Sequence, residues 1–317
     1  MKILITIFAL LLISYPFKAS GNEGCIGVCV DLQEDFSQER EGARYSYKFY
    51  DSSEVKNISH VESAWNNSTF KDLKISDSSV VESSFSSVKV GNAIIENTIF
   101  TENNLNYSIY SSISFENVNL EESVLNNTTF GNSSFIHVNA TETNFNSVNM
   151  PRVKISNSIF VESEMKYANL IMSEISSVNF SESEMNNTVF LISSFDDVRF
   201  EDVKLASTDF SLATLNNVVF DESDLKYSNF GLSKIVDASF VDTEMNNVNF
   251  SMGELSNVNF SEADLTSADF TFSTLENVDF TDAKLEYASF QGATCKNVTI
   301  DGVDDNVNAD GSSGCPF

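Results

Sequence analysis

From Trp65 to Ile300 every fifth residue is apolar, with no insertion or deletion in the count. The series opens Trp65, Phe70, Ile75, Val80, Phe85 and closes Phe280, Leu285, Phe290, Cys295, Ile300. An amphipathic helix returns to one face after 3.6 residues and a strand after 2, so neither element explains the spacing. Two residues before each large apolar side chain stands a small one, as at Ala263, Ala268, Ser273, Val278 and Ala283; Leu73, Asn103 and Ile113 depart from this. A small and a large residue thus alternate inward. The other three positions, rich in Asn, Asp, Glu, Ser and Lys, face out.

The stretch "ADLTSADF" (263–270) shows the full unit: a small residue, Asp or Asn, Leu or Phe, then two variable residues. In this the chain resembles the pentapeptide-repeat family, over residues 61–300. The resemblance implies an all-β fold, a right-handed quadrilateral β-helix or solenoid in which four pentapeptides make the four sides of one coil. Residues 61–300 then wind into about twelve coils, and a strand spacing of ~4.8 Å makes a rod about 58 Å long. Heavier use of Phe, and of Ser, Thr or Val in place of Ala, implies a slightly different cross-section on the same topology.

Columns read at the coil period fill the bore. Phe160, Phe180, Phe200, Phe220, Phe240, Phe260 and Phe280 form one stack, and Phe190, Phe210, Phe230, Phe250, Phe270 and Phe290 form the opposite one. Met185, Leu205, Leu225, Met245 and Leu265 line a further side. Each large side chain so buried contributes about 1.5–3 kcal/mol before entropy is subtracted, and no interior ligand pocket is expected. A longer period sits above the coil: "WNNSTF" (65–70), "LNNTTF" (125–130), "MNNTVF" (185–190) and "MNNVNF" (245–250), with Tyr107, Tyr167, Tyr227 and Tyr287 in step. Four tandem 60-residue units of three coils each keep every residue on its side.

Two outward columns stand out. One is acidic throughout, Glu62, Glu82, Glu102, Glu122, Glu142, Glu162, Glu182, Asp202, Glu222, Asp242, Glu262 and Asp282. Like charges ~5 Å apart repel by about 0.8 kcal/mol in bulk water, so the ladder is expected either to meet Ca²⁺, a mineral face or a basic partner, or to act as a solubilising edge. A partial column beside it, Glu164, Glu184, Asp224, Glu244 and Asp264, is relieved by Lys204 and Lys284. The other column is apolar, Met172, Ile192, Leu212, Leu232, Met252 and Phe272, bounded by Arg152 and Gly292. It is expected to be a contact edge, for a homodimer or for docking, unless a cap or long neighbouring side chains cover it.

The ends of the 317-residue chain follow other rules. Lys2, the apolar run Ile3 to Ile13 and the small residues Ala19, Ser20 and Gly21 read as a signal peptide over 1–21, which predicts a secreted protein, or a periplasmic one in a Gram-negative bacterium. No later stretch is long enough to span a membrane. Residues 22–60 are expected to cap the first coil and 301–317 to form a C-terminal tail or cap. Cys25, Cys29, Cys295 and Cys315 lie only at the two ends. A rod keeps those ends apart and leaves Cys25 with Cys29 and Cys295 with Cys315 as disulfides, with unpaired or intermolecular thiols as the alternative. Asn-x-Ser/Thr triplets at Asn57, Asn66, Asn126, Asn179, Asn249, Asn259 and Asn297 are glycosylation candidates in a eukaryote.

The chemistry of an enzyme is missing. With 18 Lys and Arg against 46 Asp and Glu the net charge is -28, and about -30 once Lys2 and Lys18 are removed, which argues against a direct nucleic-acid partner. The only histidines are His60 and His137, no Gly-rich phosphate loop occurs, and no cofactor is implied beyond a possible Ca²⁺ role for the carboxylates. "NVNADG" (306–311) begins like a calcium loop, but its twelfth position is Phe317, where a Glu is needed. The expectation is a non-enzymatic structural or interaction rod. The resemblance implies an alternative, since some pentapeptide-repeat proteins imitate DNA and inhibit or protect a topoisomerase.

Overall fold

The computed structural model describes residues 40–41, 49–51, 54–56, 59–61, 64–302 and 307–316. Every regular element in it is a β-strand, every pairing is parallel, and no helix occurs among the described residues. The register is 20 residues: Ile155 pairs with Ile175, Ile175 with Phe195, and the series runs on to Leu275 with Cys295. On another side eleven steps of the same length carry Ala64 through Ser84 and Asn104 to Lys284. The chain is the expected four-sided β-solenoid, of about eleven turns.

Local geometry explains the period of five. The small and the large residue of each repeat are buried, and the position two after the large one lies on a corner with φ near +55°, from Asn67 (55°) to Asn297 (54°). At three of the four corners the large residue's carbonyl accepts the N–H three residues on, as in Ser183 N to Phe180 O (3.3 Å), Thr188 N to Met185 O (3.2 Å) and Ser193 N to Phe190 O (3.0 Å). A positive φ at the third residue of such a bonded turn is type II geometry. The fourth corner, at Ser177, Asp197 and Asn217, runs inside six-residue strands such as Glu174–Asn179 and Ser194–Arg199.

The Asp or Asn before the large residue closes the turn. Asp269 Oδ1 accepts the Thr271 N–H at 2.8 Å, and Asn259 Oδ1 accepts that of Ser261 at 2.9 Å. Serine and threonine at the small position tie one coil to the next. Ser223 Oγ donates to Phe200 O at 2.5 Å and accepts the Val203 N–H at 2.8 Å, so the hydroxyl is fully satisfied inside the wall.

Phenylalanine ladders fill the bore as the sequence predicts. Phe220 stacks on Phe200 and Phe240 with centroids 4.9 and 4.8 Å away, and meets Phe210 and Phe230 edge-on across the axis. Toward the N-terminal coils the ladder changes to Ile75, Val80, Val90, Ile95 and Leu105, and these smaller side chains leave an apolar cavity of about 40 Å³ beside Trp65, Phe85 and Tyr110. That corrects the expectation of a bore without voids: Val and Ile lack the volume of the rings that fill the later coils. Burial also raises the Tyr110 hydroxyl above its ordinary pKa.

The coil register reaches into both end segments. Arg40–Glu41, Phe49–Asp51 and Glu54–Lys56 pair in parallel with strands 20 residues later, so part of 22–60 continues the winding. At the other end Ser289 pairs with Asn308 and Thr294 with Ser313, a register of 19, so a turn shortened by one residue closes the rod. The predicted signal peptide at 1–21, Cys25, Cys29, Asn57 and Glu62 lie outside the described residues.

Candidate interaction surfaces

Because each corner residue turns its side chain away from the bore, four corner columns decorate the rod. Glu82 to Glu182, Asp202, Glu222, Asp242, Glu262 and Asp282 occupy one corner, all exposed, with φ between 49° and 63°. The predicted ladder residues Glu162, Glu182, Asp202, Glu222, Asp242 and Glu262 are therefore brought into line. Left-handed backbone costs a residue with a Cβ about 1–2 kcal/mol, and a long Glu lacks the short polar reach that lets Asn or Asp offset it.

The partial acidic column one side over behaves differently. Lys204 Nζ lies 2.6 Å from Glu184 Oε1, Lys166 binds the other oxygen, and together they lower the Glu184 carboxyl to about 2. Lys226 joins Glu244 and stands 3.8 Å from Asp224, while Lys284 is 3.7 Å from Asp264. Among the described residues these cations reach the side column only: no ion pair involves a corner carboxylate from Glu82 to Asp282. No three His, Cys, Asp or Glu side chains among the described residues close around a common point that could hold a metal. An ion on the corner would meet one carboxylate per coil.

Diagonally opposite, ten residues further round the coil, Met172, Ile192, Leu212, Leu232, Met252 and Phe272 stack at φ values of 56° to 60°. They are 45% to 60% exposed. At the end of this row the Phe272 ring leans over Gly292, where a Cβ would lie 2.5 Å from ring carbons. The third column repeats Asn, Ser and Tyr, with Tyr107, Tyr167, Tyr227 and Tyr287 about 65% exposed. The fourth is an amide ladder: Asn257 Nδ2 donates to Asp237 at 2.7 Å and Asn277 Nδ2 to Asn257 at 2.9 Å. His137 is an ordinary member of that fourth column.

Residues 230–290 match the pentapeptide repeat region family, and residues 113–150 and 193–231 match the family of pentapeptide repeats in eight copies. The chain is a pentapeptide-repeat protein. No curated protein sequence matches it. Among solved structures, it is similar to HetL, a pentapeptide repeat protein involved in heterocyst differentiation regulation from the cyanobacterium Nostoc sp. strain PCC 7120. That match has 16% identity, covers 68% of this chain and 88% of HetL, and has a TM-score of 0.32. Full-length QnrB1, a plasmid-mediated fluoroquinolone resistance protein, matches at 13% identity over 56% of this chain and 92% of its own, with a TM-score of 0.31. A pentapeptide repeat protein of the Arabidopsis thaliana thylakoid lumen matches at 30% identity over 35% of this chain and 60% of its own, with a TM-score of 0.14.

In this pentapeptide-repeat protein the remaining expected sites fall at the ends and along one side. Cys295 and Cys315 lie with Cα atoms 4.7 Å apart, a spacing that a disulfide spans. Among the triplet asparagines, Asn297 stands on an exposed corner with its amide bonded to Asn277. Asn179, Asn249 and Asn259 use their carbonyls in the turns that follow them. Asn66 accepts from Ser84 and Ser86, and the Asn126 carbonyl is buried in the side wall. No helix of the described residues is long and apolar enough to cross a membrane.

Proposed function

We propose that the chain is a secreted, non-enzymatic interaction rod. It presents one corner of carboxylates to a cation, a mineral surface or a basic partner, and a ridge of apolar side chains on the opposite corner. The observation that carries this reading is the contrast between the two acidic columns. The side column is neutralised within the chain by Lys166, Lys204, Lys226 and Lys284, whereas the corner column keeps its repulsion and its left-handed Glu backbone without a partner. A solubilising edge does not need Glu at a position where Asn is less strained. The leader and the cysteines confined to the ends support export to an oxidising compartment, where Cys295 and Cys315 form a disulfide.

Calcium titration calorimetry on the leader-free protein tests the reading, set against the combined variant Glu182→Gln, Glu222→Gln and Asp242→Asn. A binding heat that the variant reduces supports the array; equal heats refute it for cations. The alternative, an inhibitor or protector of a topoisomerase, draws on the net charge of -28. Cell fractionation separates the two, because that target is intracellular and a cytosolic chain would sink the first reading.

A further inference from the structure

We propose that the apolar corner is the seam of an antiparallel dimer between two copies of this chain. The inference deepens the interaction-rod reading and rests on it for the purpose of the ridge. Six consecutive corners carry Met, Ile, Leu, Leu, Met and Phe at φ values of 56° to 60°, where the other columns use Asn, Asp, Ser, Glu, Tyr and one His. Ile192, β-branched at φ 60°, is the most strained of these and is still 47% exposed. The monomer therefore bears the backbone cost of the ridge while burying only about half of each side chain. An outlier of this kind persists where another contact compensates it.

The shape selects the occupant. The ridge side chains recur once per coil, at the strand spacing of ~4.8 Å. A second ridge of this chain has that same pitch, so every side chain meets a counterpart along the whole row. Six large side chains about half exposed offer on the order of 500 Å². That falls short of the roughly 800 Å² per partner of a standard interface, so the dimer is a reversible one.

Charge sets the arrangement. Two chains of net charge -28 repel, and a seam on this corner holds their carboxylate ladders on the outer corners, as far apart as the rods allow. Parallel copies would oppose Arg152 with Arg152 and Gly292 with Gly292. Antiparallel copies bring Arg152 to the partner's Gly292 end, within reach of the exposed Asp310 one turn on, and set Leu212 against Leu232.

Sedimentation equilibrium of the leader-free protein from 1 to 200 µM tests the proposal. The wild type should pass from monomer to dimer, and Leu212→Asn with Leu232→Asn, which suits the left-handed corner and leaves folding intact, should weaken the dimer at least tenfold. Under mild oxidation a mixture of Leu212→Cys and Leu232→Cys chains should cross-link to each other in preference to themselves, judged against wild type treated alike. A wild type that stays monomeric, asparagine variants that dimerise unchanged, or Leu212→Cys chains that link mainly to one another would overturn it. So would binding of zwitterionic phosphatidylcholine vesicles by a chain that remains monomeric, which would assign the ridge to a lipid surface. The carboxylate triple variant should dimerise like wild type, so that failure of the calcium response and failure of the seam are read separately.

Discussion

Asn257 offers a direct test of the corner geometry. It is exposed, sits within the strand Glu254–Asn259, and has φ 56°. Judged by strand propensity alone, Asn257→Val should be neutral or favourable, since β-branched residues are enriched in strands. The corner conformation reverses the sign. A β-branched residue at positive φ costs about 1–2 kcal/mol, and the ladder loses the bonds from Asn257 to Asp237 and from Asn277 to Asn257, each about 0.5 kcal/mol at an exposed site. The expected loss is about 2–3 kcal/mol. Asn257→Gly keeps the backbone and loses only the bonds and some chain entropy, about 1–1.5 kcal/mol, and Ser256→Val, one residue earlier, should fall within about 0.5 kcal/mol of wild type. Urea denaturation at fixed pH, with hydrogen exchange of residues 240–280 to catch local opening of a stacked-coil protein, gives the comparison. Equal stability of Asn257→Val and Ser256→Val would refute the argument that corner backbone, and not strand propensity, governs the outward columns.

Three further outcomes follow from the same geometry. Gly292→Ala should cost about 2 kcal/mol, because its Cβ would lie 2.5 Å from the Phe272 ring at φ +69°; adding Phe272→Ala should restore part of that in a double-mutant cycle by denaturation. Phe220→Ala removes a ring held 4.9 and 4.8 Å from two stacked neighbours and should cost about 3–5 kcal/mol, with the loss centred on the adjoining coils in hydrogen exchange. The Glu184 carboxyl, lowered from 4.5 to about 2 by Lys166 and Lys204, contributes stability that is present above its ordinary pKa and lost as pH falls toward 2; Lys166→Met with Lys204→Met should return its carboxyl NMR titration to the ordinary range.

The sequence carried the winding because burial sets it: apart from the amide of Asn103, the inward positions hold small or large apolar residues and buried hydroxyls, and a single insertion would expose Phe rings. The outward columns followed by counting 20 residues. The conformation of the corners did not, since the residues there include Glu, Ile, Tyr and Phe, which carry no mark of positive φ. Runs of Asn and Ser in two columns were the signal available, masked by the bulkier pair. The outward Asp or Asn of each repeat has the composition of any solvated position, and its part in closing the turns, as at Asp269 and Asn259, leaves no separate mark in the sequence. The pairings of Tyr50 and Val55 upstream were partly legible, since Tyr45, Tyr50 and Val55 keep the five-residue series, but His60 stands at the next apolar position and interrupts the count, and Arg40 carries no apolar mark at all. The 19-residue register at Asn308 was hidden because the count of five meets Asp305 and Asp310, while the residues that pack against the core beside Asn308, Val307 and Ala309, are too small to mark a shifted count.

Duplication accounts for some columns and fails for one. Copying a 60-residue block of three coils reproduces any pattern that repeats every third corner, and the Tyr107, Tyr167, Tyr227, Tyr287 series does so without a fault. A block holding Glu at all three corners of its acidic column likewise yields the carboxylate ladder, so its regularity alone does not demand a ligand; the proposed ligand is supported instead by the contrast with the side column, where lysines pair with the carboxylates. The apolar corner breaks the block. Its positions in register are Asp72, Asn132, Ile192 and Met252, then Asn92, Arg152, Leu212 and Phe272, then Ser112, Met172, Leu232 and Gly292. Polar corners in the earlier copies face apolar ones in the later copies, and the apolar run crosses unit boundaries as one unbroken stretch. Inheritance from a common block cannot produce a run with those limits, and left-handed backbone disfavours each of its residues. The proposed seam, a contact spanning that length of the rod, would supply what the repeat does not.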